Sequence, residues 1–118
     1  MLSSTYDATA AIGLIKVQGL LTVEEAERCL AAIRDLAGRS RDQSGVGRVL
    51  LDASDSGVQL GTIATPYDVR DLLSGERDRL AIITSGALQT LQTRRVLSDA
   101  RVETFAAEDD ALQWLRRP

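Results

Sequence analysis

The residues of this sequence best placed to do chemistry are Asp52, Ser56, Thr62, Thr65, Ser85 and Gly86. Ser56 sits in Asp55-Ser56-Gly57, a hydroxyl beside a carboxylate just past an apolar run that ends at Asp52. Thr62 and Thr65 lie in "LGTIAT", immediately before Pro66. Ser85 and Gly86 follow a second apolar run, "RLAIIT", and open a stretch of helical character. A phosphate placed at a helix amino terminus meets free N–H groups and the positive end of the helix dipole. Backbone N–H groups at the carboxyl edge of a parallel sheet also suit a bound anion. Both chemistries are regulatory or ligand-binding. Catalysis would need Asp52, Asp55 and Ser85 to cooperate, and no spacing requires it. The chain has no histidine, so the commonest general base and zinc ligand are missing. No metal or cofactor is expected, and the chain reads as a non-enzyme.

Each candidate has a structural reading beside the functional one. Asp, Ser and Gly all favour turns, so Asp55-Ser56-Gly57 reads first as a polar turn. Thr65 followed by Pro66, with Asp68 three residues on, satisfies helix capping by itself. Thr62 has no comparable structural role. Ser85 before Gly86 reads more readily as a cap than as a binding loop. Cys29 falls inside an apolar helical arc, which predicts a buried, unreactive thiol. Trp114, beside Leu112 and Leu115, reads as core cover. Arg94 and Arg95 interrupt the apolar stripe of the third helix and read as solvated side chains whose stems lie on apolar surface.

The elements that must position these residues follow from periodicity. Residues 2–7 and 11–18 read as an antiparallel hairpin with a turn near Ala8 to Ala10. Thr22 and Glu25 have capping-box spacing, with Leu21 as a staple residue. Val23, Ala26, Cys29, Leu30, Ile33, Leu36 and Ala37 then share one helical arc, which Gly38 is expected to end. "GRSRDQSGVG", residues 38–47, reads as an exposed, mobile loop. "RVLLDA" is a buried-type strand. A helix is expected from Thr65 to about Gly75, carrying Val69, Leu72 and Leu73. "RLAIIT", "SGALQTLQTRRVLS", "RVETFA" and "AEDDALQWLRR" give strand, helix, strand and helix. The acids at the start of that last helix and the arginines at its end complement its dipole.

The order ββαβαβαβα implies an α/β domain. Its sheet has about five strands, mostly parallel, with an amino-terminal antiparallel hairpin and helices packed on it. A single domain over residues 1–118 accommodates the length. The apolar fraction is 44% with only 3% aromatic residues, so the core must be aliphatic. Net charge is −3 without a basic block, which disfavours nucleic-acid binding. One cysteine cannot form an internal disulfide, and a reducing cytoplasm is the natural reading. The amino terminus lacks signal-peptide character. No window approaches the ~18 apolar residues of a membrane span.

Four segments, "GLLTVEEAERCLAAI", "RVLLDA", "RLAIIT" and "RVETFAAEDDALQWL", resemble in that order the SpoIIAA-like family, bacterial relatives of the STAS domain. Phe105, Ala111, Trp114 and Leu115 stand where that family has a strand-ending Phe and an Ala-x-x-Trp-Leu helix. The resemblance implies a small, usually non-enzymatic domain. STAS relatives bind anti-sigma factors or serve as modules on anion transporters. In anti-sigma antagonists the phosphorylated serine opens the helix after the third strand, and that place falls near Thr62 here. Asp55-Ser56-Gly57 lies ahead of it, so the switch is not carried over to Ser56. The leading expectation is a protein-interaction or regulatory module with an unidentified protein partner, a second copy of the chain included. A module binding lipid or a small apolar ligand, or associating with a membrane surface, is the alternative. A phospho-regulated anti-sigma antagonist is the second alternative.

Overall fold

The computed structural model describes residues 1–19, 21–56 and 68–117. Strands β1 (Leu2–Asp7) and β2 (Ile12–Gln18) form the expected antiparallel hairpin, pairing Leu2 with Val17 and Asp7 with Ile12. Its turn is held by the Asp7 carboxylate, which accepts from the N–H groups of Thr9 and Ala10 at 3.0 and 3.1 Å. Helix α1 (Val23–Ser44), β3 (Arg48–Asp55), α2 (Val69–Leu72) and β4 (Arg79–Ile83) follow. The chain continues through α3 (Ala87–Val96), β5 (Val102–Phe105) and α4 (Glu108–Arg116). The five strands make one sheet in the order β1-β2-β3-β4-β5, parallel from β2 onward. This is the architecture read from the sequence.

Right-handed crossovers between strands that advance in one direction must all lie on one face. Helices α1, α2 and α3 accordingly contribute to one core, in which Cys29, Ile33, Leu72, Leu73 and Val96 meet Ile15, Val49, Leu51, Leu80 and Ile82. Helix α4 is not a crossover. It covers the other face with Ala111 and Leu115 against Leu50, Ala81 and Ile83, while the rings of Phe105 and Trp114 pack at 5.6 Å, tilted by 50°. Burial of the Cys29 thiol pushes its pKa up to about 11, so it is a poor nucleophile.

Two helix boundaries differ from expectation. Thr22 does form the capping box with Glu25, but α1 runs past Gly38 and ends at Gly45, in the left-handed region at φ +85°. Residues expected in a mobile loop therefore form its last two turns. A mid-helix glycine costs ~1 kcal/mol, and tertiary bonds offset it. Ser40 is buried, donates to Ala11 O or Val46 O, and accepts from the Arg48 N–H at 2.9 Å. The Gln43 amide donates to Ala8 O at 2.6 Å, tying the helix to the hairpin turn. Helix α2, expected from Thr65, begins at Val69. Asp68 is extended and accepts from the Arg70 N–H, so it is itself the N-cap and not a first-turn carboxylate assisting one.

Arg41, on the unforeseen part of α1, reaches Asp78, whose side chain is only 1% exposed. The Asp78 carboxylate also accepts from the N–H groups of Gly47 at 2.8 Å and Gly75 at 3.0 Å. Side chains are sterically excluded there: a Cβ on Gly47 or Gly75 would come within 2.8 or 2.5 Å of Asp78 Oδ1. Burial alone would raise the pKa of Asp78, but the hydrogen bonds from Arg41, Gly47 and Gly75 and the charge of Arg41 outweigh it. The carboxyl is held below its ordinary value.

Replacing Asp78 by Asn leaves Arg41 without its counter-ion and is expected to cost about 3 kcal/mol, read by urea unfolding at pH 7. A group with a lowered native pKa stabilises above its unfolded value and loses that contribution as pH falls through the native one. The gap between wild type and Asp78→Asn should therefore close as pH drops below about 4. Equal stabilities at pH 7 would refute the assignment.

Candidate functional site

Adjacent parallel strands end side by side, so the β3/β4 pairing brings the segments after Asp52 and after Ile83 to one edge. There Ser85 Oγ donates to Ser54 O at 3.0 Å, joining the β4–α3 turn to the end of β3. Ser54 donates its own N–H and hydroxyl to Asp52 Oδ1 at 3.0 and 2.6 Å. Ser56 is buried in a turn, with its N–H and its hydroxyl both donating to Ala53 O at 3.1 and 2.8 Å. Asp55 points outward to Lys16 at 3.8 Å.

The residue that organises this edge is Gln89, which sequence reasoning missed. It is buried, donates to Ala53 O at 2.7 Å and Ser56 Oγ at 3.3 Å, and accepts from the Ser85 N–H at 2.6 Å. One amide thus bridges two candidate positions, Ser56 and Ser85, and the end of β3. Ser85 is not the helix cap expected of it. Gly86 takes the N-cap position at φ +83°, without a side-chain cap, and Thr90 Oγ1 donates back to Gly86 O at 2.9 Å. The structure therefore brings Asp52, Ser56, Ser85 and Gly86 to one edge. Thr62 and Thr65 lie outside the described residues.

Helix α3 is turned opposite to the usual amphipathic rule. It buries Gln89, Thr93 and Val96, while Leu88 and Leu91 are 59% and 63% exposed. The supposed apolar stripe is thus the outer face, and Arg94 and Arg95 extend it as exposed residues instead of interrupting a buried one. Gln92 Oε1 and Thr93 Oγ1 are buried without a hydrogen-bond partner, so the inner face is poorly matched to the core. The 89, 93, 96 spacing was legible as one helical face, but its polar members hid it. What this edge offers chemically is hydrogen-bonding groups beside a protruding leucine pair. The described groups fit recognition, since the hydroxyl of Ser56 is buried and engaged and that of Ser85 faces a backbone carbonyl.

A scan against protein-family models finds no match, and no curated protein matches in sequence. Among solved structures, the chain is similar to an anti-sigma factor antagonist from Mycobacterium paratuberculosis. The identity is 16%, the TM-score 0.64, and the alignment covers 99% of this chain and 96% of that one. At that identity the likeness establishes the fold, which is the STAS-like fold expected from the sequence. Among the described residues no helix is long and apolar enough to cross a membrane.

Substituting Gln89 by Ala removes the bridge and leaves the Ser85 N–H unsatisfied. The expected cost is about 2 kcal/mol in thermal or urea unfolding, with faster amide exchange at Ser85 and Ser56. Unchanged exchange at both amides would show that the bridge does not hold this edge.

Proposed function

We propose that this chain is a non-catalytic regulatory module that binds a protein partner through the outer face of α3 and the neighbouring β3/β4 edge. The observation that carries the reading is the orientation of α3. A helix that buries Gln89 and Thr93 and exposes Leu88 and Leu91 contradicts its own sequence pattern, and such local conflicts concentrate at functional surfaces. Leucines flanked by Arg94 and Arg95 suit an apolar groove with acidic borders, since a charged rim sets register and orientation around an apolar centre. The fold shared with an anti-sigma factor antagonist supports an anti-sigma factor as the partner.

Regulation by phosphorylation is the further part of this reading, with Thr62 and Thr65 as its sites and Ser56 disfavoured by burial. An apolar ligand finds less support. A described depression of about 520 Å³ between α1 and α2 is lined mostly by Arg and Asp side chains.

Anti-sigma factors from the source genome, immobilised and probed by interferometry, test the proposal. Leu88→Glu combined with Leu91→Glu should weaken binding at least ten-fold, about 1.4 kcal/mol, with an unchanged circular dichroism spectrum. A double variant that binds as tightly as wild type would overturn the assigned face. Turnover that vanishes with Ser85→Ala would overturn the non-catalytic reading.

A further inference from the structure

A second site lies at the opposite end of the sheet from the proposed docking edge. A cavity of about 210 Å³ opens where β3, β4 and β5 begin, and four arginines line it: Arg77, Arg79, Arg101 and Arg117. Glu76 and Asp78 are the acidic residues in its wall.

The charges divide unevenly. The Asp78 carboxylate is spent on Arg41 and on the Gly47 and Gly75 N–H groups. Arg101 is balanced by Asp99 at 3.0 Å and anchored on Leu73 O and Gly75 O at 2.6 and 3.0 Å. Arg79 is fixed by donation to Trp114 O and Arg117 O at 2.8 and 2.9 Å and lies against the Trp114 ring. These two guanidiniums form rigid walls. The side chains of Arg77 and Arg117 make no hydrogen bond or ion pair with any described residue, and both are exposed. They come from the α2–β4 turn and from just past α4, and both line the same cavity. Two unengaged cations beside two immobilised ones repel each other until an anion joins them. Solvated arginines that merely cover apolar surface would have no reason to converge from separate elements upon one hollow.

We propose that this cavity is a binding site for a small oxyanion, a free phosphate or the phosphoryl group of a small phosphomonoester. Arg77 and Arg117 close on the anion, between the rigid walls that Arg79 and Arg101 form. Guanidinium forks match tetrahedral oxyanions bidentately, which an ammonium does not. The volume sets the size class. At about 210 Å³ the cavity is smaller than the ~300–1,000 Å³ of sites that enclose drug-sized ligands, so a nucleotide is excluded. A bound anion would link the α2–β4 turn, β5 and the carboxyl end of α4, and stabilise the folded chain by mass action.

The test uses the whole chain in chloride buffer at fixed ionic strength. Inorganic phosphate and glycerol 3-phosphate are titrated in parallel arms, followed by the Arg side-chain N–H signals and by Tm. The expected result is saturable shifts of the Arg77 and Arg117 signals with a rise in Tm. The arm that saturates at the lower concentration distinguishes free phosphate from a phosphomonoester. Arg77→Ala combined with Arg117→Ala should raise Kd at least five-fold while leaving the anion-free Tm unchanged, since neither side chain has a partner among the described residues. Non-saturable shifts, or an equal Tm rise in wild type and double variant, would reduce the effect to general salt stabilisation and overturn the proposal. Neither outcome bears on the α3 face, whose Leu88, Leu91, Arg94 and Arg95 are not among the residues lining the cavity.

Discussion

A single buried carboxylate fixes where the starts of the parallel strands stand. Asp78 gathers a guanidinium from α1, an N–H from the residue before β3 and another from the turn leading into β4. A buried anion is tolerated only when its lone pairs are met by donors of good geometry, and here the donors come from three separate stretches of chain. Two glycines make the approach possible, because any side chain at 47 or 75 would occupy the space of the carboxylate. With the strand starts set, their far ends are set too, and Ser54 meets Ser85 at the opposite rim.

The same interaction explains where sequence reading fell short. Strand limits were legible because apolar runs such as "RVLLDA" and "RLAIIT" have no competing pattern, and the start of α1 was legible because Thr22 and Glu25 cap locally. The end of α1 was not. Gly38 carries a local stop signal, and what overrides it is long-range: Ser40 to Ala11 and Val46, Gln43 to Ala8, and Arg41 to Asp78. Asp68, read as a first-turn carboxylate that helps a cap at Thr65, is itself the N-cap of α2, since a carboxylate serves either position and only the backbone decides. The arginines misled in their own way. Composition marks them as dispersed charge, yet Arg48, Arg79 and Arg101 donate to the backbone carbonyls of Leu115, Trp114 and Leu73. Basic groups at the last carbonyls of a helix are favourable, and arginine can serve two of them at once.

At the other rim Ser56 stands in the turn read for it, while Ser85 is not the cap that was expected. Adjacency of β3 and β4 suffices to bring Asp52, Ser56 and Ser85 together. Neither the bridging amide of Gln89 nor the outward leucines of α3 follow from adjacency, because both depend on the rotation of one helix about its axis. That rotation is fixed by burial of Val96 and of the Gln89 amide, and a hydrophobicity pattern weighs such an amide in the wrong direction. Fold and surface are thus determined by different residues. This is how a sheet can be shared at 16% identity with few residues in common.

The spatial order of the strands is also their order along the chain. No strand has to be inserted between two that are already paired, as happens in sheets whose order doubles back. Only the β1–β2 hairpin is local, whereas every later pairing must wait for a crossover to close. The sheet can therefore grow from one side, each new strand adding to an edge left open by the last, in the sequence in which a ribosome delivers them. A chain built this way need not hold a vacant slot during synthesis.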